Sequence, residues 1–258
     1  MTHPKLHVAG VSRRFSRPGG QVVEALAPVD LAVGSGEFVS IIGPSGCGKS
    51  TLFNIISGLL EATAGHVLID GTQPRPLLGA VGLMPQRDLL MPWRSVLDNV
   101  ALGLTLAGRM SRKEARKVAQ GYFEEFGLSG YERSWPAQLS GGMRQRAALL
   151  RTFLTGHEVI LLDEPFGALD ALTRRSMQTW LLNVWEARKS TILFVTHDVD
   201  EAVLLSDRVY AMAGRPGRIA LDLRIELPRP RTSQLQLTAQ FADYKRRLME
   251  PLEQGSAT

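Results

Sequence analysis

A glycine-rich segment near residue 45 constrains the fold of this chain more than any other feature. It reads Gly43-Pro44-Ser45-Gly46-Cys47-Gly48-Lys49-Ser50-Thr51. One apolar run, residues 38–42, precedes it and a second, residues 52–56, follows it, so the pattern predicts a strand, a phosphate loop and a helix start. The glycines let backbone N–H groups turn toward phosphate oxygens, Lys49 can reach the β- and γ-phosphates, and the Ser50 hydroxyl can hold Mg²⁺. All nine residues are therefore candidates for binding a nucleoside triphosphate.

A second glycine motif begins at residue 139 and reads Leu139-Ser140-Gly141-Gly142. The residues that follow it, 143–150, are of types that favour a helix. The N–H groups of Ser140, Gly141 and Gly142 are therefore expected at a helix N-terminus, where the backbone dipole favours negative charge. This motif predicts a second anion-binding site.

Two further apolar runs predict buried strands, and each leads into polar residues suited to triphosphate chemistry. Residues 159–162 precede Asp163 and Glu164, and residues 191–195 lead to His197. Successive strand residues face opposite ways, so Asp163 can hold the Mg²⁺ shell while Glu164 acts as general base on the attacking water. His197 is placed to contact the γ-phosphate. The plainer interpretations are a solvated turn for the carboxylates and a surface position for the histidine.

In their order and spacing these motifs resemble the ATP-binding subunit of an ABC transporter, over roughly residues 1–220. The resemblance implies an α/β fold, the P-loop NTPase fold of ABC ATPases, with an N-terminal antiparallel β subdomain and a helical subdomain. It also implies ATP hydrolysis, with ATP and Mg²⁺ as cofactors. Gln86 matches a glutamine that touches Mg²⁺ and the attacking water, and Phe15 matches an aromatic residue that stacks on adenine. A core position on the first strand is the alternative for Phe15.

The resemblance further implies that one copy of the chain cannot work alone. The signature motif at residues 139–142 of one copy is expected to close over ATP held by the phosphate loop of a second copy. Asp170 is expected at the seam of this isologous dimer. The pair would act on transmembrane permease subunits at the cytoplasmic face of the membrane. One departure is visible, because Met143 stands where the family signature commonly has glutamine.

A finer resemblance links the chain to the ATPases of nitrate, sulfonate and taurine importers. It rests on residues 90–100, on residues 198–209 and on Arg215-Pro216-Gly217-Arg218-Ile219. It implies a small transported solute and, indirectly, an extracytoplasmic solute-binding protein as partner. Related subunits serve other small anions or pyrimidine vitamin precursors.

An apolar cluster at residues 89–93 interrupts a stretch that otherwise has the composition of a loop. Soluble proteins seldom expose such a patch without a partner. We therefore expect Leu90, Met91 and Trp93 to line a groove that receives a short helix of the permease. Packing of the cluster against the core is the alternative.

Length and composition favour one domain of a cytosolic protein. The chain has 258 residues, of which 44% are hydrophobic. We expect an ATPase domain over residues 1–221, with a helical subdomain inserted at about 88–157, and a tail over 222–258 that packs on the domain. No apolar run reaches the roughly 18 residues of a membrane-spanning helix, and no signal segment follows the first residues. The single cysteine, Cys47, is expected to have a lowered pKa in the field of the helix start.

Three other functions are disfavoured by the sequence. The net charge of +5 comes from scattered basic residues, without the basic stripe and interleaved aromatic residues of a nucleic-acid surface. A DNA-maintenance ATPase of the same fold would need a long coiled coil between the phosphate loop and the signature motif. A translation-associated ABC ATPase would need a second phosphate loop.

Local patterns predict several further elements. Alternating apolar residues predict two antiparallel strands, and Ser111 with Glu114 forms a capping box that starts a helix. The predicted bounds are residues 6–15 and 21–33 for these strands, 49–57 for the helix after the phosphate loop, 111–126 for the capped helix, 171–188 for the next long helix, and 241–252 for an amphipathic helix in the tail.

Overall fold

The computed structural model describes residues 3–106 and 110–254. Over these residues it has nine strands and eight α-helices. The strands are β1 (Leu6–Ser16), β2 (Val22–Val33), β3 (Phe38–Ile42), β4 (Ala64–Ile69), β5 (Gly82–Met84), β6 (Val159–Asp163), β7 (Thr191–Thr196), β8 (Arg208–Ala213) and β9 (Arg218–Arg224). The helices are α1 (Lys49–Ile56), α2 (Val96–Val100), α3 (Leu102–Leu106), α4 (Arg112–Gln120), α5 (Gly141–Phe153), α6 (Ala171–Arg188), α7 (Val199–Leu205) and α8 (Ala239–Gln254).

The central sheet has six strands in the order β5-β6-β7-β3-β8-β9. The first five strands are parallel, and β9 is antiparallel to β8 at the edge. Every residue of β3 and β7 is buried, which is why these strands appear in the sequence as mainly apolar runs rather than alternating ones. The carboxyl ends of β3, β5, β6 and β7 lie at one edge of the sheet, which we call the carboxyl edge. Open parallel sheets bind ligands at this edge.

The N-terminal strands form a separate antiparallel sheet in the order β2-β1-β4. The predicted pairing of the first two strands is confirmed, with Leu6 opposite Val33 at one end and Phe15 opposite Val23 near the other. β2 also contacts the central sheet, because Ala27 N–H donates to the Gly217 carbonyl at 3.0 Å.

Between β5 and β6 the regular elements of the described residues are helices and one short 3₁₀ turn at Pro136–Gln138. The capping box is confirmed: Ser111 Oγ accepts from Glu114 N–H, and the Glu114 carboxylate accepts from Ser111 N–H. The helix ends at Gln120, however, so the prediction that it reaches residue 126 is wrong. Phe123 and Phe126 turn into the core, and Gly127, at φ 62°, ends this turn.

The tail is part of the folded body rather than an appendage. β9 continues across residue 222, so the first tail residues belong to the central sheet. The predicted tail helix is observed as α8, whose Phe241 and Leu248 are fully buried in the same core as α7. The boundary at residue 221 stays a prediction. In the part of the chain that the structure describes, no helix has both the length and the apolar character needed to cross a membrane.

Candidate active site

The phosphate loop joins β3 to α1. Gly46 and Gly48 have φ of 82° and 97°, a region that side-chain-bearing residues rarely adopt. A Cβ on Gly48 would also lie 2.5 Å from Leu26 Cδ2, so the turn requires glycine for packing as well. Lys49 is buried, and its ammonium donates to the carbonyls of Gly43 at 2.7 Å and Pro44 at 2.9 Å. Its charge is thereby fixed at the mouth of the loop.

A cavity of 510 Å³ opens beside this loop. Its walls come from β2, the loop itself, the start of α1, the end of β6 and the turn between β8 and β9. The lining residues are Val23, Glu24, Ala25, Ser45, Gly46, Gly48, Lys49, Ser50, Thr51, Glu164, Arg215 and Pro216. A predicted base and a predicted phosphate-binding lysine therefore share one cavity.

Glu164 is the centre of a contact cluster at the carboxyl edge. Its Oε2 lies 3.2 Å from Gln86 Nε2 and 3.2 Å from His197 Nδ1. These three residues follow β6, β5 and β7, which is why parallel strands bring together residues that are far apart in sequence. Glu164 has φ 44°, and its N–H donates to the Val195 carbonyl at 2.9 Å. Left-handed backbone in a residue with a side chain is uncommon and concentrates at functional sites.

Asp163 ends β6 next to this cluster and is half-buried. Burial raises the pKa of its carboxyl group, the negative charge of Glu164 raises that pKa further, and the positive charge of Lys49 opposes both. Two adjacent carboxylates held near one ammonium form a site that a cation would stabilise.

The signature motif and Asp170 each cap a helix. Ser140 is the N-cap of α5, with Oγ accepting from Met143 N–H at 3.3 Å. Asp170 is the N-cap of α6, and the hydrogen bond from Thr173 N–H lowers the pKa of its carboxyl group. The two caps are neighbours, because a Cβ on Gly142 would lie 2.9 Å from Thr173 Cγ2. None of Ser140, Gly141, Gly142 and Asp170 lines the cavity beside the phosphate loop.

Phe15 lies at the exposed end of β1. Its ring is 36% exposed, and the Arg13 guanidinium covers it at 4.6 Å from the centroid. The ring does not line the cavity, but Val23, its cross-strand partner, does. A purely internal position for Phe15 is therefore wrong, and its role toward adenine stays a prediction.

Cys47 does not have the lowered pKa that the sequence analysis predicts. The side chain is 2% exposed, and burial raises the pKa of its thiol above the usual value. The charges of Lys49 and Arg215 lower that pKa, but less than burial raises it. The field at the helix start favours the thiolate, but the loss of water around the sulfur disfavours it more strongly.

The apolar cluster after Gln86 is divided between core and surface. Leu90 is buried in the main core, so the expectation that it lines an open groove is wrong. Trp93 is 70% exposed, and Leu89 is also exposed. The buried Asn99 side chain holds the loop by accepting from Met91 N–H and donating to the carbonyls of Met91 and Arg94.

Of the four charged residues that line the cavity, Glu24 and Arg215 have no role predicted from the sequence, and Arg215 is the one with a positive charge. Arg215 lies in the turn between β8 and β9, and its only signal in the sequence was the Arg-Pro-Gly-Arg-Ile segment of the finer resemblance. Its position beside the loop depends on how two distant parts of the chain pack.

Comparison with known families places these motifs in context. A family model described as ABC transporter matches residues 26–167. An uncharacterized ABC transporter ATP-binding protein of Methanocaldococcus jannaschii is 44% identical over 249 residues, which is 96% of this chain and 91% of that protein. The aliphatic sulfonates import ATP-binding protein SsuB of Bacillus cereus is 40% identical over 248 residues, covering 96% of each chain.

A solved structure has the same architecture. It is a dimeric ATP-binding cassette in a post-hydrolysis state, bound to ADP and Pi. It superposes with a TM-score of 0.75 at 32% sequence identity and covers 86% of this chain and 100% of its own.

Proposed function

Because the chain belongs to the ATP-binding subunits of ABC transporters and is an ATPase, we propose that two copies of it power a membrane importer of a small sulfonate or related anion. One observation carries the catalytic part of this proposal. The carboxylate of Glu164, which lines the same cavity as Lys49, contacts both Gln86 and His197. Phosphoryl transfer needs such convergence of a water-positioning group and a cationic phosphate clamp.

In the proposed reaction the phosphate loop binds ATP through its backbone N–H groups, and Lys49 binds the β- and γ-phosphates. Phe15 stacks on adenine at the far end of the nucleotide. Glu164 accepts the proton of the attacking water as general base. His197 and Gln86 contact the carboxylate at 3.2 Å each, and so keep it aimed at the γ-phosphate.

Ser50, Asp163 and Gln86 would hold Mg²⁺. All three offer hard oxygen donors of the kind that Mg²⁺ prefers. A cation would also offset the repulsion between the adjacent carboxylates of Asp163 and Glu164. When bound, the ion would neutralise charge on the phosphates.

We propose a dimer because the two anion sites of one chain are separate. Ser140, Gly141 and Gly142 lie outside the cavity of their own chain, and we propose that they complete the site of a second copy, with Asp170 beside them. The related cassette in its ADP-bound state is a dimer, which supports an isologous pair. ATP can close such a pair only through its higher affinity for the closed state.

Import of sulfonates is supported by the likeness to SsuB, whose name states that function. Permease subunits would hold the chain at the cytoplasmic face of the membrane, and a solute-binding protein would deliver the cargo. Deletion of the gene should abolish uptake of labelled aliphatic sulfonate, and wild type but not Glu164→Gln should restore it. If uptake of sulfonate, taurine and nitrate is unaffected by deletion, the cargo proposal is wrong. The non-transport ABC ATPases considered above are not favoured.

We place the permease contact on the loop after Gln86, where Leu89 and Trp93 are exposed on a segment that Asn99 holds rigid. Trp93→Ala should remove stimulation of ATP hydrolysis by the permease while the isolated subunit keeps its thermal stability. Trp135→Ala, at another exposed tryptophan, is the matched control. Equal losses in both variants would contradict this placement.

A further inference from the structure

We propose that Arg215 is a further nucleotide-binding residue, whose positive charge binds the phosphates of ATP together with Lys49. The inference rests on the proposed role of the phosphate loop and adds to it the turn between β8 and β9. Three observations carry it: the packing of this turn on the loop, the position of the guanidinium, and its lack of an acidic partner.

The turn between β8 and β9 is built onto the phosphate loop. Gly217 N–H donates to the Ala25 carbonyl at 3.0 Å, and a Cβ on Gly217 would lie 1.9 Å from the Cys47 carbonyl oxygen. At the end of β8, the Met212 carbonyl oxygen would lie 2.4 Å from a Cβ on Gly43. Contacts this close leave no room for a side chain, so the position of the turn is fixed relative to the phosphate site.

The guanidinium of Arg215 lies against the tip of the loop. Its Nη2 donates to the Ser45 carbonyl at 3.3 Å, and a Cβ on Gly46 would come within 2.6 Å of the same nitrogen. Arg215 also lines the cavity that Lys49 and Ser50 line. Its charge reaches the loop, because it is one of the groups that lower the pKa of the Cys47 thiol.

Arg215 has few protein partners for its charge. Of its five N–H donors, one has a protein acceptor in the described part of the chain, and no described carboxylate pairs with it. The nearby carboxylates have their own partners: Glu24 pairs with Arg14 at 3.1 Å, and Glu164 contacts Gln86 and His197. An arginine left in this way beside a phosphate loop matches the planar, many-donor geometry that binds phosphate oxygens.

Three variants separate charge from hydrogen bonding. Arg215→Lys keeps the charge, Arg215→Gln keeps an N–H donor for Ser45, and Arg215→Ala removes both. Equilibrium binding of a non-hydrolysable ATP analogue, ADP and AMP to the full chain, at two salt concentrations, is the measurement. We expect Gln and Ala to weaken binding of the ATP analogue about tenfold and Lys to weaken it less, because a charge-assisted hydrogen bond contributes about that much. The loss should shrink from the ATP analogue to AMP and should diminish at high salt.

Arg218→Ala is the matched control, since this arginine lies on the same hairpin, is exposed and does not line the cavity. If Arg215→Gln binds like wild type while Arg215→Lys does not, Arg215 positions the loop through Ser45 and the charge proposal is overturned. Equal losses for the ATP analogue and AMP would also overturn it. Lys49→Ala tests the underlying site. If this variant keeps full affinity for the ATP analogue, the phosphate-loop assignment is wrong. If Lys49→Ala loses affinity while Arg215→Ala binds like wild type, only the role of Arg215 is rejected.

Discussion

The carboxyl edge of the central sheet and the C-terminal tail both carry charged side chains next to the same core, yet they use those charges in opposite ways. At the edge, Glu164 and Lys49 line a cavity, His197 contacts the Glu164 carboxylate, and Lys49 donates to loop carbonyls. In the tail, Arg231 is 4% exposed and donates to the carbonyls of α7 and of the segment after β9. The edge places its charges beside a cavity, where a substrate can reach them, whereas the tail buries charge to join two parts of the chain.

The burial of Arg231 has a measurable consequence for its acidity. Loss of solvent lowers the pKa of its guanidinium to about 10, so the group stays charged at neutral pH. Its hydrogen bonds end on the carbonyls of Val203, Leu204, Ser206, Ile225 and Leu227. A buried charge is tolerated where its donors are satisfied in this manner. The difference between the two regions predicts that substitutions at the edge change turnover and substitutions in the tail change stability.

The largest effect is expected at the edge. Glu164→Gln should lower ATP turnover by about 10²–10⁴, the usual contribution of a general base, while ATP binding persists and an ATP-bound dimer accumulates. The free energy of unfolding should change by less than about 1 kcal/mol, because the side chain is partly exposed and glutamine keeps one acceptor oxygen. Steady-state hydrolysis, size-exclusion chromatography with ATP and urea unfolding measure these quantities.

Glu124→Gln, an exposed substitution away from the cavity, is the control. Near-normal turnover would remove Glu164 from its role.

The converse effect is expected in the tail. Arg231→Met should lower the free energy of unfolding by about 3 kcal/mol, because several buried carbonyls lose their donor. Turnover per folded molecule should stay within a few-fold of wild type. Arg224→Met, which alters an exposed arginine of β9, should cost far less. Should Arg231→Met fail to accumulate, Arg231→Lys measures the same quantity with the charge kept. A stability equal to that of the Arg224 variant would show that burial of Arg231 contributes nothing.

The same contrast explains which features were predictable from sequence. The strands that precede the phosphate loop, Asp163 and His197 appear as apolar runs, and the residues after a parallel strand share one edge of the sheet. Gln86 and Glu164 are 78 positions apart, and their contact is explained by their positions directly after the parallel strands β5 and β6. The order of the sheet, which places β3 between β7 and β8, depends on pairings between distant segments and has no local signal.

Arg231 and Arg215 could not be predicted for a related reason. Each lies near proline in a segment whose composition is that of an exposed loop. The hydrogen bonds of Arg231 and the single one of Arg215 in the described part of the chain end on backbone carbonyls, and a carbonyl leaves no trace in residue type. The sequence predicts too late an end for α4 because the spacing of Phe123 and Phe126 fits a helix. In the structure a turn, not a helix, buries both rings in the core.

The smallest predicted effect concerns Cys47 in the phosphate loop, and it tests whether the protein interior behind the loop is as closed to reagents as the tail. Burial raises the pKa of the Cys47 thiol, so the thiolate fraction at neutral pH is smaller than for a free cysteine. We expect maleimide to modify the folded chain at least about tenfold more slowly than the urea-unfolded chain. The rate should rise with pH to beyond the usual titration of a free thiol, because only the thiolate reacts. ATP should slow modification further, since ATP bound to the loop would hold it in the conformation that buries the thiol. Mass spectrometry of timed samples measures the rate, and the unfolded chain is its own control. Rapid labelling of the folded chain at neutral pH would instead mean that the phosphate loop opens readily. The carboxyl edge would then differ from the closed tail in the mobility of its backbone as well as in the exposure of its side chains.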